Sequence, residues 1–169
     1  MPADFAALYI SSLNNPLATT FSAFVHEHLL ITTVLLLVLY AFLSGRKSNM
    51  LPLLLALLLA LLLTDLTKNF FNEPRPCATG AIQAKVPCPP EGGMPSGHSA
   101  YATIFLLASV GTSSFFFFLP ISILIMLSRL YLGIHTLGDI AGGAAFGALL
   151  YEAAVIALKY EKEKIWSMK

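Results

Sequence analysis

An all-α, polytopic membrane bundle is the fold class that this sequence predicts, and three observations predict it. Of 169 residues, 57% are hydrophobic and 11% charged, and mean hydropathy is +0.77, outside the range of ordinary soluble domains. The apolar residues fall in runs of membrane-helix length, a span needing roughly 17–25 of them to cross about 30 Å of hydrocarbon. Only short polar connections interrupt these runs, with no internal repeat or low-complexity linker, so residues 1–169 are expected to form one integral-membrane domain. A net charge of +1 gives no footprint for nucleic acid. The expected partner is lipid.

The first element is short. Residues 3–13 carry Phe5, Leu8, Tyr9 and Leu13 but stop at Asn14-Asn15-Pro16, so this stretch reads as an interfacial helix lying on the bilayer. A secretory signal would open with a basic segment, which it lacks. Five spanning helices are then expected near 21–43, 50–67, 97–112, 115–133 and 137–158. His26-Glu27-His28, at one end of the first, reads as a polar helix end rather than a metal-ligand set. The third is the shortest, and only Gly111-Thr112-Ser113-Ser114 separates it from the fourth. The run Phe115 to Phe118 reads as lipid-facing or interfacial bulk. On the fifth, Gly143 and Gly147 with Ala144 and Ala148 make a close-packing face for another helix of the chain or for a second copy.

Basic residues orient the bundle. Arg46 and Lys47 lie in the 44–49 loop, and Lys159, Lys162, Lys164 and Lys169 in the tail, which places both segments in the cytoplasm. Four crossings separate them, as a common side requires. The expected protein is thus multi-pass in the cell membrane with a cytoplasmic C-terminus. The 68–98 loop and the 129–139 connection then face outward. An outer location permits a disulfide between Cys77 and Cys88, worth roughly 3 kcal/mol on chain-entropy grounds; two free thiols are the alternative.

Those outward segments hold nearly all the chemistry: Lys68-x6-Arg75-Pro76, Pro95-Ser96-Gly97-His98, and Ser128-Arg129-x5-His135-x3-Asp139. Ionisable groups at a membrane are costly and mark function by default. Arg presents a planar fork suited to phosphate oxygens, and Lys adds a point charge. Gly97 and His98 stand where a loop becomes a helix, and helix starts expose free N–H groups that bind anions; Ser96 is placed to cap that helix or to donate to phosphate. His135 and Asp139, four apart on one helix face, would let the carboxylate fix the imidazole tautomer. Asp65, one turn before Lys68, is a partner for it. No carboxylate cluster suits Mg²⁺ and no residue set suits zinc.

These three motifs, in this order and spacing, resemble the signature of the type 2 phosphatidic acid phosphatase superfamily of membrane lipid phosphatases. The resemblance covers residues 68–139 without a departure at a signature position. It implies a mechanism without metal or other cofactor. His135 attacks phosphorus to form a phosphohistidine, Asp139 orients it, and His98 protonates the leaving oxygen and then activates water. Lys68, Arg75, Arg129, Ser96 and Gly97 hold the phosphoryl oxygens. The small size and outward site are also similar to the bacitracin-resistance type of undecaprenyl pyrophosphate phosphatase, which implies a polyprenyl diphosphate first and phosphatidylglycerophosphate or phosphatidate second. A non-hydrolytic lipid-phosphate carrier would not require two histidines and a carboxylate around one anion. The vanadium haloperoxidases, which share this anion pocket, are soluble.

Overall fold

Asp4 starts the first helix: one of its carboxylate oxygens accepts from the amide of Ala7 at 2.8 Å, an N-cap that satisfies a donor the helix cannot. In the computed structural model, which describes residues 4–45 and 49–167, that helix is α1 (Phe5–Ser12). It ends before Asn14, as its composition predicts. The other oxygen of Asp4 accepts from the amide of Leu137 at 2.6 Å, so the cap also ties α1 to the far end of the chain. Among the described residues six helices follow: α2 (Pro16–Glu27), α3 (Leu29–Leu43), α4 (Met50–Phe71), α5 (Gly97–Ser109), α6 (Phe115–Tyr131) and α7 (Leu137–Ser167). No strand occurs among the described residues.

The expected first span is broken. His28 adopts φ −118° and ψ 48°, and α2 and α3 meet there at 96°. Neither glycine nor proline causes the break; it falls on the polar His26-Glu27-His28, whose side chains cannot all face hydrocarbon in one straight helix. Among the described residues two helices are long and apolar enough to cross a bilayer unaided, Met50–Phe71 with mean hydropathy 2.3 and Leu137–Tyr160 with 1.7; the bent α2–α3 pair makes a third if counted as one span. At 1.5 Å per residue α5 reaches only roughly 20 Å, short of the roughly 30 Å core. The protein is a helical membrane protein. Arg46 and Lys47, which carry the charge argument for orientation, lie outside the described residues, as do Lys169 and the side chain of Lys162.

The core lies where α3, α4, α5, α6 and α7 converge, around Tyr40, Leu53, Phe105, Phe118 and Tyr151. Phe118 corrects the reading of its run as lipid-facing. It is fully buried and stacks on Phe105 with ring centroids 5.7 Å apart, whereas Phe116 faces outward at 80% exposure. Helical spacing divides the run between the two faces.

The glycine face of α7 packs against α5 of the same chain. A Cβ on Gly143 would collide with the carbonyl oxygen of Ser96 and sit 2.9 Å from Ser99 Cβ, and one on Gly147 would lie 2.8 Å from Ala100 Cα. Only residues without a side chain permit this approach. Gly147→Ala should therefore destabilise the fold by about 1–3 kcal/mol through overpacking. Thermal unfolding in detergent reads this, and an unchanged midpoint would show that the helices separate freely.

Candidate active site

Connectivity brings the three motifs to one end of the bundle. Lys68 is in the last turn of α4, Gly97 and His98 open α5, Arg129 is in the last turn of α6, and Asp139 is in the first turn of α7. At the opposite end Tyr40 Oη and Asn49 Nδ2 both donate to the carbonyl of Ala108, at 2.9 and 3.0 Å. The intervening 72–96 loop is held in place. Cys77 and Cys88 are joined by a disulfide, the amide of Gly93 donates to Glu73 at 2.8 Å and that of Ser96 to Asp139 at 3.0 Å. Lys85 donates to the carbonyl of Ser11 and lies 4.7 Å above the Tyr131 ring.

Asp139 reaches His135 by a route that the spacing alone did not suggest. His135 precedes α7 rather than lying on it. Thr136 and Asp139 form a reciprocal capping box: the amide of Asp139 donates to Thr136 Oγ1 at 3.1 Å, and that of Thr136 to Asp139 Oδ2 at 2.9 Å. The same Oδ2 lies 3.2 Å from His135 Nδ1. On the other side of the ring, Nη1 of Arg75 lies 3.0 Å from Nε2. A guanidinium can only donate, so Nε2 accepts and the proton resides on Nδ1, facing the carboxylate. Burial holds the His135 pKa down at about 4, the Asp139 hydrogen bond pulling upward and Arg75 pushing further down. The imidazole is neutral at pH 7, with its lone pair on Nε2.

Arg75 is 4% exposed. It also donates from Nε to the carbonyl of Glu91 at 2.9 Å and from Nη1 to that of Ile134 at 3.1 Å. Arg129 is wholly buried; Nε and Nη2 donate to Ser128 Oγ at 2.9 and 2.8 Å, and Nη2 to the carbonyl of Ser22 at 3.0 Å. Its Nη1 is buried without a hydrogen-bond partner. Nε2 of His98 lies 3.1 Å from the carbonyl of Val25 and so donates to it, leaving Nδ1 as the ring's other polar atom. Lys68 Nζ stands 3.8 Å from Asp65 Oδ1. Ser96 occupies the N-cap position of α5 but makes no side-chain cap bond; its oxygen instead accepts from Ser99 Oγ at 3.1 Å.

A cavity of about 340 Å³ opens among these groups, lined by Lys68, Arg75, Gly97, His98 and His135. Ser96, Arg129 and Asp139 are not among its lining residues and stand behind it. Its wall adds residues the motifs do not include: His26, Asp65, Glu91 and Tyr101. His26, read from sequence as part of a polar helix end, brings its ring within 6.2 Å of the His98 ring. The one signal for it was a polar triplet within an apolar run. Among the described residues no group of three or more His, Cys, Asp or Glu has the arrangement of a metal site.

Residues 49–163 match the PAP2 superfamily, a stretch that takes in all three motifs, α4 to α6 and all but the last turn of α7. The chain belongs to the PAP2 superfamily. Two solved structures support the fold. LpxE of Aquifex aeolicus superposes with a TM-score of 0.72 at 27% identity, covering 88% of this chain and 92% of that one. A PAP2-type phosphatidylglycerolphosphate phosphatase from Bacillus subtilis gives 0.64 at 22% identity, covering 95% and 84%, a likeness of fold alone. Among curated proteins, lipid A 1-phosphatases from two Helicobacter pylori strains are 41% and 39% identical over 66 residues. That match spans 36% of this chain and 35% of each relative's length.

Proposed function

We propose that this PAP2 member is a metal-independent lipid phosphatase that works through a phosphohistidine on His135. The observation that carries the reading is the His135 ring. One nitrogen is protonated against Asp139, and the other keeps its lone pair beside a cationic cavity, held in the resting site by Arg75, which must turn to the phosphate to free it. That is the state a nucleophile needs. In the proposed cycle Nε2 of His135 forms a bond to phosphorus as the P–O bond to the leaving group breaks, and His98, carrying a second proton on Nδ1 that it takes up with the phosphate dianion, gives that proton to the leaving oxygen. The same nitrogen then takes a proton from water, which displaces phosphate from His135. Lys68, Arg75 and the Gly97 amide meet the charge that develops on the phosphoryl oxygens, and Arg129 adds its positive charge from behind the cavity wall. Ser96 supports the turn from behind.

Membrane placement follows the positive-inside reading: five crossings, the site at the outer face, the C-terminus in the cytoplasm. For the substrate, the sequence favours undecaprenyl or another polyprenyl diphosphate, with phosphatidylglycerophosphate and phosphatidate next. The names of the Helicobacter relatives favour a second reading, a phosphate on a lipid-anchored sugar. Purified protein offered each of these lipids in EDTA should release inorganic phosphate from at least one, and His98→Ala should lose roughly 10²–10⁴-fold in turnover. Full turnover in that variant, or release that needs added metal, would overturn the mechanism.

The pH profile is a separate check. His135 is neutral in the free protein until pH nears 4, so the acid limb of kcat/KM should lie near 4 rather than near the ordinary imidazole value of about 6.5. Linkage gives stability the matching sign. Between about 6.5 and 4 the unfolded chain binds a proton that the folded one excludes, so stability is lost as pH falls through that window. An acid limb at the ordinary value would place His135 in a wetter site.

A further inference from the structure

We infer that His26 is a specificity-determining residue of the site, donating a hydrogen bond to an oxygen of the leaving group close to the bond that breaks; this rests on the phosphatase reading and adds which leaving groups the site selects. His26 belongs to none of the three motifs. It is the member of its polar triplet that lines the cavity, whereas Glu27 and His28 are exposed.

The main chain fixes His26 beside His98. α2 ends at Glu27, so the carbonyl of Val25 is among the last four, which a helix leaves without an internal partner. That carbonyl accepts from Nε2 of His98 at 3.1 Å, and its peptide leads directly into His26. The two rings lie 6.2 Å apart between centroids. One turn back, the carbonyl of Ser22 accepts from Arg129 at 3.0 Å. The last turn of α2 therefore backs two site residues and brings a third imidazole to the wall.

In an in-line transfer the leaving oxygen lies opposite the attacking atom. With His135 attacking and His98 giving the proton, the leaving group extends on the His98 side, where His26 stands. Nδ1 of His26 is buried without a hydrogen-bond partner, so the nitrogen that this ring can offer a ligand is Nε2. A proton on Nδ1 would have no acceptor in a place that water does not reach, and buried N–H groups are almost never left unmet. The proton accordingly sits on Nε2, which makes His26 a neutral donor rather than a second acid. It suits a hydroxyl or ester on the carbon next to the phosphate-bearing one, a sugar ring oxygen, or the oxygens of the phosphate that leaves when a diphosphate is cut. A plain alkyl phosphate offers no such acceptor. Apart from the histidines, the neutral side-chain donors on the wall are Thr64 and Tyr101. Thr64 already donates to the carbonyl of Ala60 at 2.6 Å, which leaves Tyr101 as the competitor.

Two lipids, 1-oleoyl lysophosphatidate and its 2-deoxy analogue, differ by one hydroxyl on the carbon next to the phosphate-bearing one. In detergent micelles the parent protein should hydrolyse the hydroxylated lipid with a kcat/KM about two- to tenfold higher, the range that one neutral hydrogen bond gives. His26→Phe should bring that ratio to about one by slowing the hydroxylated lipid alone. His26→Gln, whose amide can donate from near the position of Nε2, should keep most of it. Because His26→Phe removes a buried unpaired nitrogen, its unfolding midpoint should hold or rise. Equal losses on both lipids would overturn the assignment, and a lowered midpoint alongside them would mark His26 as structural. A ratio of about one in the parent overturns it without any variant, as does a ratio that survives His26→Phe or vanishes in Tyr101→Phe. Release of phosphate from neither lipid by the parent would sink the phosphatase reading itself.

Discussion

His135→Ala should lower kcat/KM by roughly 10⁴-fold or more and abolish any phosphoenzyme trapped by rapid quenching of a ³²P-labelled lipid phosphate. A phosphohistidine is labile in acid and stable in base, so the trapped species has a chemical signature as well as a stoichiometry. Asp139→Asn keeps an acceptor for the Thr136 amide but removes the charge facing Nδ1, and can turn that proton's direction. It should form the same intermediate, more slowly by roughly 10²–10⁴-fold. Turnover in His135→Ala within tenfold of the parent would end the covalent scheme. An intermediate that survives acid but not base would move the nucleophile to an oxygen.

Arg129→Met should separate activity from stability. The guanidinium is wholly buried, its hydrogen-bond partners are the Ser128 hydroxyl and the Ser22 carbonyl, and Nη1 has none. A cation desolvated without an opposing carboxylate costs the resting fold, and an apolar side chain of similar volume is often neutral or stabilising by about 1–4 kcal/mol in such a place. The charge of Arg129 acts on the phosphate from behind the cavity wall. We expect kcat/KM to fall at least about a hundredfold while the unfolding midpoint in detergent holds or rises. The parent's midpoint should rise when inorganic phosphate or vanadate is added, and the variant's should not. A variant that loses both activity and stability would mark Arg129 as a structural residue.

The site was more legible than the path of the chain around it. Lys68, His98, Arg129, His135 and Asp139 could be paired from spacing because each stands at a helix end or in a short connection, where sequence distance constrains spatial distance; Arg75, in the long 72–96 loop, was found by its motif instead. The kink at His28 was not legible as a kink. Residues 21–43 form a nearly unbroken apolar run, and a polar triplet inside it is equally compatible with a helix end. What decides is tertiary: His26 borders a cavity built by segments 40 to 110 residues away. Phe118 was misjudged for the same reason, since four consecutive phenylalanines carry no periodicity of their own. Ser96 shows a third limit. Its position predicted a cap, but Ser99 one turn on competes for its oxygen, and the close approach of α7 leaves it buried.

The glycine seam between α5 and α7 has a consequence for how the protein sits in membranes of unequal thickness. Gly143 faces the backbone of Ser96 and Gly147 that of Ala100, so the two helices meet main chain to main chain, with no flexible side chain between them to yield. Neither can slide along the other by a fraction of a turn. His98 leads one helix and His135 stands just ahead of the other, so their separation is fixed by that contact. Hydrophobic mismatch, which membrane helices relieve by tilting, is then absorbed by tilting the pair as a unit, and the spacing of the two histidines is insulated from the lipid around them.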